Sequence, residues 1–347
     1  MDSLTYWKKR EEEALKHYIS DEKQYDREIS RIYEDMLDGI QSEISAFYGK
    51  YAKSEGITIA EAKKRVSALD IAAYERKAKR YVRAAARDRA ANGGKTNKNG
   101  FYFAQRANEE MKLYNLTMKV NRLEMLKANI GLEMIKGHAE LETFMEEILE
   151  GRTMEELERQ AGILGKSIKN NAQTAHSIVN ASYKSATFSD RIWMYQDMMK
   201  ADLGKLLQQG MIQGKNARVL AKDIERYVVG DKRKPNDKKG AKYYAERLMR
   251  TEMARVQTEA QKRSFERNNY EQYKFIANSG CCDICQSLNG KVFDVKDMLP
   301  GKNAAPLHPH CRCSTAAHSD RAEYEKWLEF LENGGTTAEW EQMKKKG

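Results

Sequence analysis

Proline is absent from the first two thirds of this sequence. Only four of the 347 residues are Pro, and none of them precedes Pro235. Because proline is the strongest helix breaker, its absence permits long helices up to that point. Cysteine is missing from the same region, since the five cysteines all follow residue 280. The chain also has no run of about 18 apolar residues, so we expect no membrane-spanning helix.

A signal peptide is not expected either. The first residues, MDSLTYWKKREEEALKHY, contain no apolar stretch of the kind that a secretory leader needs. In a chain without a leader, clustered cysteines are more often metal ligands or free thiols than disulfides. The net charge is +10, for which two interpretations stay open. Either the protein has a nucleic-acid partner, or Lys and Arg merely outnumber acidic residues on solvated helix faces.

Apolar residues at spacings of three and four predict long amphipathic helices over the first 229 residues. One such stripe comprises Tyr25, Ile29, Ile32, Tyr33, Met36, Ile40, Ile44, Phe47 and Tyr51. A second stripe, from Leu113 to Ile130, predicts a helix that continues to about Leu149 and ends at Gly151. Capping motifs predict the starts of further helices, at Thr58, Thr153, Thr187 and Asn216.

The composition changes around residues 230–240, GDKRKPNDKKG, a polar and basic stretch that we expect to be a linker. After it, a helix is predicted from Ala241 to about Asn268, with Glu252 and Arg255 spaced to form an ion pair. Short strands are predicted at 273–276 and 291–295. The expected protein is mainly α. Its parts are an elongated helical region (1–229), the basic linker (230–240), a small α+β module with Cys and His (241–318) and a short helical tail (319–347).

The stretch from Cys281 to His318 concentrates the residues that carry chemistry. Cys282 and Cys285 form a C-x2-C pair, and His308 and Cys311 form an H-x2-C pair. Two short-spaced pairs brought together by a hairpin are how a four-coordinate structural zinc site is built. Zinc would link two small strands and contribute folding free energy to them.

The ligand set is left open by the sequence, because Cys313 and His310 are spare donors. Pro306 and Pro309 restrict the backbone on either side of His308. Unmetallated thiols in a small core, catalytic zinc, a redox C-x-x-C pair and Cys–His nucleophilic catalysis remain as alternatives to structural zinc.

These motifs resemble the C-terminal signature of the phage Mu F-like head morphogenesis proteins. The matching pattern is Cys282-x-x-Cys285-x-x-Leu288-x-Gly290-Lys291-x-Phe293, then Pro306-x-His308-Pro309-x-Cys311-Arg312-Cys313. A second hallmark is the triplet Arg250-Thr251-Glu252 on the preceding helix. Upstream, the segments Tyr6-Trp7-Lys8, LYNLTMKVNRLEMLKANIGLE, RQAGILG and TFSDRIW are similar to minor capsid proteins of tailed phages of Gram-positive hosts.

The resemblance implies a minor capsid protein that acts structurally, not as an enzyme, in procapsid assembly near the portal and the inner capsid. Its expected partners are the portal protein, the major capsid or scaffolding protein, and packaged dsDNA contacted through the basic surface. It would be made in the host bacterial cytoplasm and end in the virion, in the capsid interior or at the portal vertex.

Within this interpretation, Arg250 and Glu252 tie the last long helix to the Cys/His hairpin. The hairpin is held by Cys282, Cys285, His308 and Cys311, with Cys313 as the substitute ligand and structural zinc as the one cofactor. Two rival functions remain. One is a nucleic-acid-processing enzyme that uses Arg250, Glu252 and His308, and the other is a plain non-specific DNA-binding module.

Overall fold

The structure, a computed structural model, describes residues 3–51, 122–230 and 239–319, with single positions between 73 and 83 and between 329 and 343. As predicted, the described chain is mainly helical. Its helices are α1 (Ser3–Tyr51), α2 (Arg122–Leu164), α3 (Asn171–Val179), α4 (Phe188–Ile212), α5 (Ala217–Val228), α6 (Ala241–Arg267) and the short α7 (Asp283–Gln286). The strands are β1 (Gln272–Ile276), β2 (Val292–Asp294) and β3 (Ser314–His318). None of the described helices is both long enough and apolar enough to span a membrane.

The chain divides into two compact units, each assembled from separated segments. The terminal unit consists of Met1–Asp21, Ile148–Ala181 and Met249–Gly347. The central unit consists of Glu22–Glu147 and Ser182–Leu248. The domain boundaries predicted from composition divide the chain into consecutive segments, and they stay predictions.

The core of the central unit begins with the stripe on α1, which is buried as predicted from Tyr25 to Phe47. α2 packs against it, and the two helices come close where each carries a glycine. A methyl group built on Gly137 would lie 2.5 Å from the Met36 side chain, and one built on Gly39 would lie 2.5 Å from the Glu133 carboxylate. Each glycine therefore leaves room for a side chain of the facing helix.

The predicted end of the second helix is wrong. α2 does not stop at Gly151 but continues to Leu164, and Thr153 does not start a new helix. The Thr153 hydroxyl instead donates a 2.6 Å hydrogen bond to the carbonyl of Leu149, one turn earlier. A glycine inside a helix costs about 1 kcal/mol relative to alanine, and burial of Leu149, Thr153 and Leu157 on both sides of it offsets that cost.

The predicted starts of α4 and α5 are confirmed. Thr187 and Asp190 form a reciprocal capping box, in which each side chain binds the backbone N–H of the other residue. The Asn216 side chain accepts the backbone N–H of Val219 at 3.1 Å. α5 buries Leu220, Ile224 and Val228 against the central unit.

The terminal unit contains a three-stranded antiparallel sheet in the order β2-β1-β3. Two of its strands were predicted and β3 was not. Tyr273 of β1 lies opposite Phe293 of β2 and Ala317 of β3. Tyr273, Phe265, Val295 and Met298 form one part of the core under the sheet.

A buried polar cluster joins the start of α1 to α2, α6 and β3. Arg159 of α2 donates two 3.0 Å hydrogen bonds to Glu11 and two 2.8 Å bonds to Glu156. Ser314, the first residue of β3, donates to Glu11 at 2.7 Å. Gln261 of α6 donates to both Glu156 and Ser314 at 2.9 Å. We call Glu11, Glu156, Arg159, Gln261 and Ser314 the polar cluster.

Several predictions fall outside the described residues. They are the helix start at Thr58, the beginning of the second stripe between Leu113 and Val120, residues 231–238 of the linker, and most of the tail at 319–347.

Candidate metal centre

The first half of the Cys/His site is a turn between β1 and β2. Gly280, at φ +83°, reverses the chain. Cys282 immediately precedes the single turn of α7. Cys285 lies within that turn, three residues after Cys282, so both thiols lie on one side of the turn. Gly290, at φ +76°, completes the connection and donates its N–H to the Phe275 carbonyl at 2.8 Å. The predicted signature glycine therefore occupies a left-handed backbone position that favours glycine.

The second half is the turn that leads into β3. The N–H of Cys311 donates to the carbonyl of His308 at 3.1 Å, and His310 between them has φ +64°. Pro306 follows a cis peptide bond. The Arg312 carbonyl accepts a 3.3 Å hydrogen bond from the Asn278 side chain, which links this turn to the residues after β1.

The two halves bring the donor atoms together in two overlapping triads. Nε2 of His308 lies 3.2 Å from Sγ of Cys282 and 3.3 Å from Sγ of Cys285. Sγ of Cys285 lies 3.7 Å from Sγ of Cys311. The second triad adds Cys313, and the donor atoms within each triad all lie within 4.8 Å of one another. Cys285, which is 1% exposed, belongs to both triads.

The geometry identifies which nitrogen of His308 is available. Nδ1 lies 2.8 Å from the carbonyl oxygen of Pro309. A carbonyl only accepts, so Nδ1 carries the proton and Nε2 presents its lone pair towards the thiols in the neutral imidazole. Fixing a histidine in this way, through a hydrogen bond from its other nitrogen, is typical of metal ligands.

The thiols differ in their electrostatic surroundings. A hydrogen bond from the Cys313 thiol lowers the pKa of Cys311 to about 5. The same hydrogen bond, together with burial, raises the pKa of Cys313, while burial raises the pKa of Cys285. A backbone hydrogen bond from Cys285 lowers the pKa of the exposed Cys282. Of these four thiols, Cys282 and Cys311 are therefore the two that ionise most readily.

Cys281 differs from the other four cysteines. Its Sγ lies 3.4 Å from Oε1 of Gln286, and it belongs to neither triad. All five cysteines are free thiols.

The triplet of the predicted signature, Arg250, Thr251 and Glu252, lies on α6. Glu252 and Arg255 form the predicted ion pair, with Nε of Arg255 2.5 Å from the carboxylate. Arg255 also donates to the carbonyls of Ile178 and Val179, at 2.9 Å each. It thus binds carbonyls at the C-terminal end of α3, where a positive charge is favourable. The predicted tie from Arg250 and Glu252 to the Cys/His hairpin stays a prediction.

Sequence reasoning missed the polar cluster, although one signal for it exists. Glu11 precedes Tyr18, Tyr25 and Ile32 by successive steps of seven residues, and all four are buried. A charged residue in register with a buried stripe indicates a buried partner of opposite charge, because an unpaired charge would be costly there.

The fold and the site together define a class: a helical protein with a small α+β module in which thiols and an imidazole converge. Residues 201–316 match the family model described as Phage Mu protein F like protein. No curated protein and no solved structure gives a match. The resemblance drawn from the cysteine motif is thus confirmed, and this region, about a third of the chain, indicates a Mu F-like phage head morphogenesis protein.

Proposed function

We propose that this protein is a minor structural component of the tailed-phage head, acting in procapsid assembly near the portal and the inner capsid. The observation that carries the proposal is the match to the Mu F-like family over residues 201–316, which contains the complete Cys/His site. The expected partners are the portal protein and the major capsid or scaffolding protein.

The interior of the terminal unit supports a structural role. Glu252 and Arg255 are 1% and 2% exposed, and Arg255 attaches the C-terminal end of α3 to α6. The polar cluster is likewise internally paired, and its members other than Arg159 are buried. Buried charges that are fully engaged with each other position chain segments, whereas a catalytic group has to reach a substrate.

The test is the location of the protein in purified particles. Quantitative mass spectrometry of procapsids and mature virions should find it in both at a few copies per particle. Asymmetric cryo-EM reconstruction should place its density inside the shell at the portal vertex. Absence from both particles, or a position on the tail, would contradict the proposal.

The second part of the proposal is that the Cys/His site binds structural zinc. A tetrahedral zinc ion with Zn–S of about 2.3 Å and Zn–N of about 2.0 Å requires S–S separations of about 3.8 Å and S–N separations of about 3.5 Å. The 3.7 Å between Cys285 and Cys311 and the 3.2–3.3 Å between His308 and its two thiols are close to those values.

The same distances favour a particular ligand set. Cys285 connects the two triads, so it is the ligand that every arrangement needs. His308 and Cys282 complete one side. Cys311 is the fourth ligand, because its Sγ lies 3.7 Å from Sγ of Cys285, close to the separation that a shared zinc ion requires. Cys313 then donates its S–H to the sulfur of Cys311 and serves as the substitute ligand.

Elemental analysis of protein purified without added metal tests this part. Wild type should contain about one zinc per chain. Cys285→Ser should lose the metal, whereas Cys281→Ser, which changes the neighbouring thiol outside both triads, should keep it. Zinc well below one per wild-type chain, or equal metal content in the two variants, would refute the site.

A further inference from the structure

A basic stripe runs along α5 in the central unit, outside the Cys/His site. Arg218, Lys222 and Arg226 follow one another at intervals of four residues, and all three are exposed. Residues four apart lie on the same face of a helix, about 6 Å from one another along its axis. The stripe is therefore about 12 Å long.

The stripe faces away from the core. Each of its residues stands two positions before one of the buried residues Leu220, Ile224 and Val228, and two positions correspond to about 200° around a helix. Burial of the apolar side thus fixes the orientation of the basic side. Packing of the core does not require basic residues at these positions, because none of the three contributes to the core.

The charges on the stripe are largely available. Arg218 and Lys222 have no ion-pair or hydrogen-bond partner among the described residues. The helix carries two acidic residues, Asp223 and Glu225. Asp223 is bound by Lys215 at 2.7 Å and lies 3.8 Å from Arg226. Lys215 thereby offsets the charge of Asp223, one of these two acidic residues.

The surrounding sequence extends the positive charge. Residues 200–239 contain 11 Lys and Arg against five Asp and Glu, which is +6 of the net +10 of the chain. Five of these basic residues follow α5 directly, in the segment 231–239. Gly230 and Gly240, which bracket that segment, lie against each other, since a methyl group on Gly240 would fall 2.3 Å from the nitrogen of Gly230. Gly240 therefore lies next to the C-terminal end of α5.

We propose that Arg218, Lys222 and Arg226 form a sequence-independent binding surface for the phosphate backbone of double-stranded DNA. The 6 Å interval is close to two phosphate steps of 3.4 Å along one strand. A protein partner is less well matched, because stable protein interfaces centre on buried aromatic or apolar anchors, and the exposed apolar residue on this face is Val219. The proposal deepens the proposed function, since DNA inside the capsid is the partner it would meet there.

The test is binding of the full-length protein to a mixed-sequence DNA duplex, measured by fluorescence anisotropy over a range of salt concentrations. The variant is Arg218→Gln, Lys222→Gln and Arg226→Gln together. The matched control is Lys23→Gln, Arg27→Gln and Lys136→Gln, which removes the same charge from exposed positions of the same unit.

Each phosphate contact contributes about 0.9 to the slope of log affinity against log salt. The stripe variant should reduce that slope by about 2 to 3 and weaken binding at least tenfold at moderate salt. The control should change the slope by less than about 1. The single variant Lys222→Gln should reduce the slope by about 1, and it keeps the test decisive if the triple variant does not fold.

Equal slopes for the stripe variant and the control would overturn the proposal, as would undetectable binding by wild type. A parallel titration with polyglutamate identifies a different partner: if the stripe variant loses polyglutamate binding but not DNA binding, the surface recognises acidic protein. DNA binding by a protein that is absent from particles would refute the proposed function and leave this surface intact. If the protein is found at the portal vertex but the stripe does not contribute to DNA binding, the proposed function stands and the DNA-binding surface is refuted.

Discussion

Replacing Glu11 by alanine should destabilise the terminal unit, even though Glu11 lies near the start of α1 and far from the sheet in sequence. Its carboxylate accepts two hydrogen bonds from Arg159 and one from Ser314. The Glu11 side chain is 4% exposed. Removing one partner of a buried ion pair costs about 3–5 kcal/mol, because the other charge is left uncompensated. Arg159 keeps its bonds to Glu156, so we expect the lower end, about 3 kcal/mol.

The measurement is urea unfolding, with hydrogen–deuterium exchange of β3 peptides as a local readout. The matched control is Glu13→Ala, which removes the same carboxylate two positions away, where the side chain is exposed. Glu11→Ala should accelerate exchange in Ser314–His318, whereas Glu13→Ala should leave it unchanged. Arg159→Ala should cost more than Glu11→Ala, because it leaves two buried carboxylates facing each other.

A double-mutant cycle isolates the pair. The combined Glu11→Ala and Arg159→Ala variant should be destabilised by less than the sum of the two single variants. If Glu11→Ala and Glu13→Ala unfold within about 1 kcal/mol of each other, the buried-pair reasoning is refuted.

Three further predictions concern other parts of the molecule. Burial lowers the pKa of His138 to about 4. His138 therefore binds a proton at a higher pH in the unfolded chain, where its pKa is about 6.5, than in the folded protein. The free energy of unfolding of wild type should fall by about 2 kcal/mol between pH 7.5 and pH 5 for this reason. His138→Phe should not show this loss when urea unfolding is measured at both pH values. Gly240→Ala should destabilise by about 2 kcal/mol, because its methyl group would meet the Gly230 backbone. Gly204→Ala, inside α4 with open space around it, should stabilise by about 0.5–1 kcal/mol in the same assay. A chelator should lower the Tm of wild type and leave that of Cys285→Ser unchanged, and an unaffected wild type would count against structural zinc.

Patterns with local physical causes were predictable from the sequence. The α1 stripe repeats every three or four residues, and burial of one helix face produces that spacing. The caps at Thr187 and Asn216 depend on contacts within four residues. The turns around Cys282 and His308 are also local, so the composition of a single stretch identified the candidate site and the family.

Features that depend on distant contacts were not predictable in the same way. Gly151 and Thr153 carry the signals of a helix end, but packing on both sides of them keeps α2 continuous. β3 was missed because Ser-Thr-Ala-Ala-His has neither alternation nor large apolar residues. β3 is held instead by a helix that is distant in sequence, because the Thr315 N–H and hydroxyl both donate hydrogen bonds to Gln261 of α6.

The contact between Glu11 and Ser314 also sets the order of events during synthesis. These residues are 303 positions apart in the chain. At a bacterial elongation rate of about 5–20 residues per second, roughly 15–60 s separate the emergence of Glu11 from that of its partner. During that interval the first turns of α1 have no strand to bind, so the terminal unit can close only after β3 has been made. Nascent chains therefore cannot complete this unit, and a partner that recognises its closed form would select finished copies.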